Sequence, residues 1–147
     1  MEKVLAYDRT IVAQETGFWC GPAATQIVLD GRGIRRSEAD LAKRMGTHTG
    51  GTDHIGLPAK VLAAELPGVK WTTVQMPNDP PTAAQKDRLW ADLVRSIDAG
   101  YGVVMNIVAP PGNYPKAVAP STQNLRYSGG VVYHYVVICP FRWLVSG

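Results

Sequence analysis

Two side chains in this sequence can do covalent chemistry if the fold brings them together: the thiol of Cys20 and the imidazole of His134. Cys20 stands in the run Gly17-Phe18-Trp19-Cys20-Gly21-Pro22-Ala23-Ala24. Proline suits the first turn of a helix, where its missing N–H would have had no partner. Ala23, Ala24, Ile27 and Val28 then follow at helical spacing. Cys20 is therefore predicted at a helix N-terminus, where unpaired N–H groups and the helix dipole favour a thiolate. Gly21 lets the backbone come close to a bound group. Gln14, six residues before Cys20, offers an uncharged amide that can hold an oxyanion together with the Cys20 N–H. On residue type alone, Cys20 reads equally as a buried structural cysteine.

His134 is the polar exception in the apolar segment 131–139. An imidazole on such a strand can act as general base to a thiol. It can also be a hydrogen-bonded core histidine. As a base it needs a third group to fix its tautomer. His48, Asp53 and His54 are zinc-type ligands close together in the sequence. Their spacing fits no established zinc motif and glycines dominate the stretch, so neither metal nor cofactor is expected. The loop reads as substrate-lining or structural. Cys139 reads as a small buried residue.

The elements that must position these groups follow from pattern. The opening segment to Thr16 reads as extended. A helix starts at Cys20 and stops at Asp30-Gly31. Ser37-Glu38-Ala39-Asp40 is a capping signal for a helix reaching Met45, with Gly46 past its end. Residues 47–56 read as loop, 58–65 as a short helix, and the β-branched, alternating segment 70–76 as a strand. The longest helix is predicted over 82–99, with Leu89, Trp90, Leu93, Val94 and Ile97 as its apolar stripe. Strands are predicted over 103–108 and 131–139. The loop between them, 109–130, is long enough to suggest a functional cleft wall. Trp71, Trp90 and Trp143 are expected in the core, and Trp19, Tyr114 and Tyr127 facing the cleft. Helices precede strands, so the fold class is α+β: an N-terminal helical half packed on a C-terminal antiparallel sheet.

Composition narrows the function classes. The chain has 147 residues, 46% hydrophobic and 18% charged, which suits one domain over 1–147 and argues against disorder. A net charge of +3 is too slight to indicate nucleic acid as a partner. Arg32, Arg35, Arg36, Lys43 and Arg44 read as a solvated face. No apolar stretch approaches the roughly 18 residues of a membrane span. Acids near the N-terminus stand where a signal peptide would be apolar, so synthesis in the cytoplasm without a Sec-type signal is expected. Two cysteines are too few for a disulfide scaffold.

Gln14, then Cys20-Gly21-Pro22-Ala23-Ala24, then a late His134-Tyr135-Val136-Val137 resemble papain-like cysteine peptidases of the bacteriocin-processing (double-glycine, C39-like) type. The segments Gly17-Phe18-Trp19-Cys20-Gly21-Pro22-Ala23 and Gly50-Gly51-Thr52-Asp53-His54-Ile55-Gly56 resemble more closely the N-terminal peptidase domain of endolysins from phages of mycobacteria and related actinobacteria. The resemblance covers most of the chain. It implies a papain-like fold, with Cys20 as nucleophile, His134 as general base and Gln14 as oxyanion donor, and Trp19, Gly21, Tyr114 and Tyr127 lining the cleft. It implies as partner the stem or cross-link peptide of peptidoglycan, reached through a holin pore. The enzyme would act as a monomer, alone or as one module of a longer lysin. The family's third catalytic member, an aspartate or asparagine, lies on the strand after the histidine strand. Here residues 135–147 contain no Asp, Asn or Glu. Asn106 and Asp53 are the candidate substitutes. The alternatives are truncation and a catalytically impaired domain that binds wall or peptide.

Overall fold

The computed structural model describes residues 2–5, 13–117, 119, 122, 127 and 129–142. After a short first strand come three helices: α1 (Cys20–Asp30), α2 (Glu38–Met45) and α3 (Gly56–Glu65). Their apolar faces meet in one core of Val28, Leu29, Leu41, Met45, Val61 and Leu62. The helix ends follow the local chemistry. Ser37 caps α2 by accepting the Asp40 N–H, and Gly46 closes it in the left-handed conformation at φ 65°. A longer helix, α4 (Ala83–Asp98), begins with a full capping box in which Thr82 and Gln85 bond each other's backbone.

Strands β2 (Val103–Ala109) and β3 (Val132–Ile138) form an antiparallel pair in regular register, Asn106 opposite Tyr135 and Ile107 opposite His134. Val104 and Val137, opposite one another, pack on the helical core. A second, small pair joins β1 (Glu2–Val4) to β4 (Pro140–Arg142). The architecture is thus helices with small antiparallel sheets, an α+β arrangement. No described helix is long and apolar enough to cross a membrane.

Several expectations need correction. Residues 70–76 form no strand. Alternation alone cannot make one without a ladder partner, and Trp71 instead packs edge-on to Tyr101 at 5.8 Å. Trp90 is 39% exposed and is not core, because α4 buries only Leu93 and Ile97 from the expected stripe. The β3 segment is not buried throughout: Val131 and Tyr133 are exposed, and so is Val108, the cross-strand neighbour of Tyr133. The helical core covers the end of the sheet at Val104 and Val137 and leaves this other end open. The cationic residues of the arginine-rich stretch are largely paired: Arg36 and Arg44 both bond Glu65, and Arg35 bonds Asp30. Trp143 lies outside the described residues, as do part of the opening segment to Thr16 and part of the 109–130 loop.

Candidate active site

Cys20 is the first residue of α1 and is half-buried. The chain reaches it through a tight turn in which the Gln14 side-chain amide donates to the Thr16 carbonyl at 2.7 Å. The Glu38 carboxylate, 2% exposed at the start of α2, accepts the Glu15 N–H at 2.9 Å. A buried carboxylate thereby anchors the segment leading to the thiol. Burial pushes that carboxyl above its ordinary value, against the lowering effect of the Glu15 N–H. Among the described residues, no side-chain cap bonds the start of α1, whose N-cap is Trp19. Uncapped N–H groups at this end favour a negative charge on or beside Cys20.

Gly21 is needed for packing. A Cβ there would lie 2.5 Å from the Thr52 hydroxyl oxygen, so Thr52 fills the space that the sequence suggested a substrate might use. The Thr52 hydroxyl in turn bonds that of Thr47 at 2.8 Å, and its carbonyl accepts the Tyr135 hydroxyl at 3.2 Å. Tyr135 is buried. Burial first, then the nearby negative charges of Cys20 and Asp53, push its phenol up to about 12. The β3 residue beside Cys20 is therefore Tyr135.

His134 leaves β3 on the opposite face, since successive strand side chains alternate. Its ring lies 6.1 Å from that of Tyr127, which lies 5.7 Å from that of Tyr114. Tyr114 is tied back to the Gly130 carbonyl at 2.6 Å. The long loop thus borders His134 through two of the residues assigned to the cleft. Burial lowers the His134 pKa, so the ring stays neutral, the form a general base requires. Among the described residues, no hydrogen bond joins Cys20 to His134, and none joins a carboxylate or amide to the His134 ring.

Neither candidate third member is placed to orient His134. Asp53 accepts from His48 Nε2 at 2.9 Å, while His48 Nδ1 accepts the Gly50 N–H at 3.0 Å. Both nitrogens of His48 are engaged, so this histidine is a loop staple with Nε2 protonated. Asn106 stands opposite Tyr135, on the face away from His134. No cluster of three or more metal-ligating side chains occurs among the described residues. Trp19 is half-buried and meets Phe18 edge-on at 6.2 Å.

Comparison with known proteins adds a family. The model of the Peptidase_C39 like family matches residues 7–142. The chain belongs to that family. Two curated relatives match over 69 residues, an uncharacterized protein of Methanothermobacter marburgensis at 45% identity and one of Methanothermobacter thermautotrophicus at 39%. Each match covers 47% of this chain and 46% of the relative, so the chain spans about half the length of the curated relatives it matches. No solved structure matches the chain. Family membership makes this a cysteine-peptidase-type domain. Thr52, Tyr135 and Glu38 are the contributors to the site that sequence reasoning missed. The pattern at 131–139 shows a strand but not which of its faces meets α1, and a glutamate in a capping signal gives no sign of being buried.

Proposed function

We propose that the protein is a cysteine endopeptidase of papain-like fold, with Cys20 as nucleophile and His134 as general base. The observation that carries this reading is the thiol at an uncapped helix start in a chain of the Peptidase_C39 like family. The Cys20 sulfur attacks the scissile carbonyl carbon. His134 takes the thiol proton and passes it to the leaving amine as the C–N bond breaks. Water then hydrolyses the thioester and regenerates the thiol. Gln14 and the Cys20 N–H are assigned to the oxyanion, which requires the Gln14 amide to leave the Thr16 carbonyl. Tyr135 is the β3 residue beside Cys20 and His134 leaves β3 by the other face, so this pairing requires β3 to shift or rotate against α1 when substrate binds, more than a side-chain turn.

The substrate class we assign is the stem or cross-link peptide of mycobacterial-type peptidoglycan, cleaved by an endolysin module that reaches the wall through a holin pore. The support is the likeness of segments 17–23 and 50–56 to phage peptidase domains. Mass spectrometry of muropeptides released from purified mycobacterial wall tests this. New amine and carboxyl ends, absent with Cys20→Ala, are the expected result. Intact cross-links with both proteins would remove the assignment.

A second reading is a wall-binding module without catalysis. It is favoured by the absence, among the described residues, of any carboxylate or amide bonded to His134. Co-sedimentation with wall in the absence of any released peptide is its signature.

A further inference from the structure

Hydrogen bonds and packing at Thr52 connect the strand of His134 to the helix of Cys20. Tyr135 donates to the Thr52 carbonyl at 3.2 Å, Thr52 and Thr47 share a hydroxyl bond at 2.8 Å, and Thr52 fills the space over Gly21, next to the nucleophile. We infer that Tyr135 is a positioning residue for Cys20: its hydroxyl, by holding the Thr52 carbonyl, fixes the loop against the start of α1 and so sets how the N–H groups there meet the sulfur.

The inference rests on the reading of Cys20 as the reactive thiol. Tyr135 is 5% exposed, so water is a poor substitute for its hydroxyl. Removing the hydroxyl leaves a carbonyl oxygen unbonded in a region of low dielectric. The loop then loses the tie that holds the Thr52 side chain against Gly21, the residue after Cys20. The titratable groups around the phenol are Cys20 from α1 and Asp53 from the loop, the latter bonded to His48. On β2 its neighbour is the uncharged Asn106, and on β3 His134 leaves by the other face. The phenol itself stays protonated through neutral pH, so it remains a donor there. Glycine at 21 belongs to the same device, since any side chain there would lever Thr52 away.

The test is the rate of alkylation of Cys20 by iodoacetamide, followed by mass spectrometry from pH 5 to 9, on the whole chain. For Tyr135→Phe, the midpoint of the rate profile is expected to move to higher pH, with at least a threefold slower reaction at pH 7. A merely structural role would lower the melting temperature and leave the midpoint in place, and that result overturns the inference. Should Tyr135→Phe fail to fold by circular dichroism, Gly21→Ala decides in the same way, because a Cβ there displaces Thr52 from its place under the Tyr135 hydroxyl while sparing the strand. An unchanged midpoint in that variant overturns the inference too. The parent protein separates this inference from the proposed function. If parent Cys20 reacts no faster than free cysteine at every pH, both fail. If it reacts as a low-pH thiolate and the variants match it, only the role of Tyr135 fails.

Discussion

Cys20 and Cys139 carry the same group into opposite surroundings. Cys139 is buried, and burial pushes its thiol pKa up, which marks an inert structural cysteine. At pH 7 iodoacetamide is expected to modify Cys20 and spare Cys139. Cys139→Ala should cost about 1 kcal/mol in urea unfolding and retain the proposed peptide cleavage, whereas Cys20→Ala should abolish it at nearly unchanged stability. His134 sets the acid limb. Its folded pKa lies below the ordinary 6.5, so the unfolded chain takes up the proton first as pH falls. Stability should therefore be flat above about pH 6.5 and decline below it, and activity needing a neutral ring should persist to a pH below that value. Glu38 acts in the other sense. Its folded pKa lies above 4.5, so the stability linked to it is complete below 4.5 and is lost as pH rises through the folded value. Glu38→Gln is expected to raise the melting temperature at pH 7 and to have little effect at pH 4. An equal change at both pH values would show that the carboxyl charge is not the cause. Cys20 was legible from its neighbours because Gly-Pro after a cysteine states a helix start. Tyr135 was not, because a strand presents two faces and the sequence names neither.

Among the elements, capping chemistry is where local sequence speaks most directly. Thr82 and Gln85 close a reciprocal pair at the start of α4, and Thr82→Ala should cost about 1 kcal/mol, read by urea denaturation. That helix was legible from its apolar spacing, as were α1 from Pro22 and the spacing that follows it and α2 from its capping signal, whereas α3, which has no side-chain cap at its start, begins at Gly56 and not at Pro58. The segment 70–76 misled because alternation describes a half-buried strand equally well as a loop that packs one aromatic side chain, here Trp71 on Tyr101. Only a partner strand distinguishes the two, and none was encoded nearby. Trp90 misled for a related reason. A stripe fixes which side of α4 is apolar but not how far the neighbouring elements cover it, and here coverage ends at Leu93 and Ile97.

For the molecule as a whole, the three-helix core supports both the thiol and the sheet behind it. Leu29 is fully buried in it, in the cluster against which Val104 of β2 and Val137 of β3 pack. Leu29→Ala should cost about 2–5 kcal/mol, and urea unfolding followed by both far-UV dichroism and tryptophan fluorescence should report one coincident transition. Non-coincident transitions would mean that helices and sheet melt separately. The α+β class could be read from element order, whereas the joining of Cys20 to β3 through Thr52 could not, since residues 20, 52 and 135 are related only by the folded chain. The pairing of β1 with β4 gives this molecule a direction of mechanical weakness. The strands run antiparallel with Glu2 opposite Arg142, so tension applied at the two ends of the chain loads the ladder one rung at a time. Stretched between surface and tip, the protein would unzip there at low force before the core of α1 to α3 bears any load.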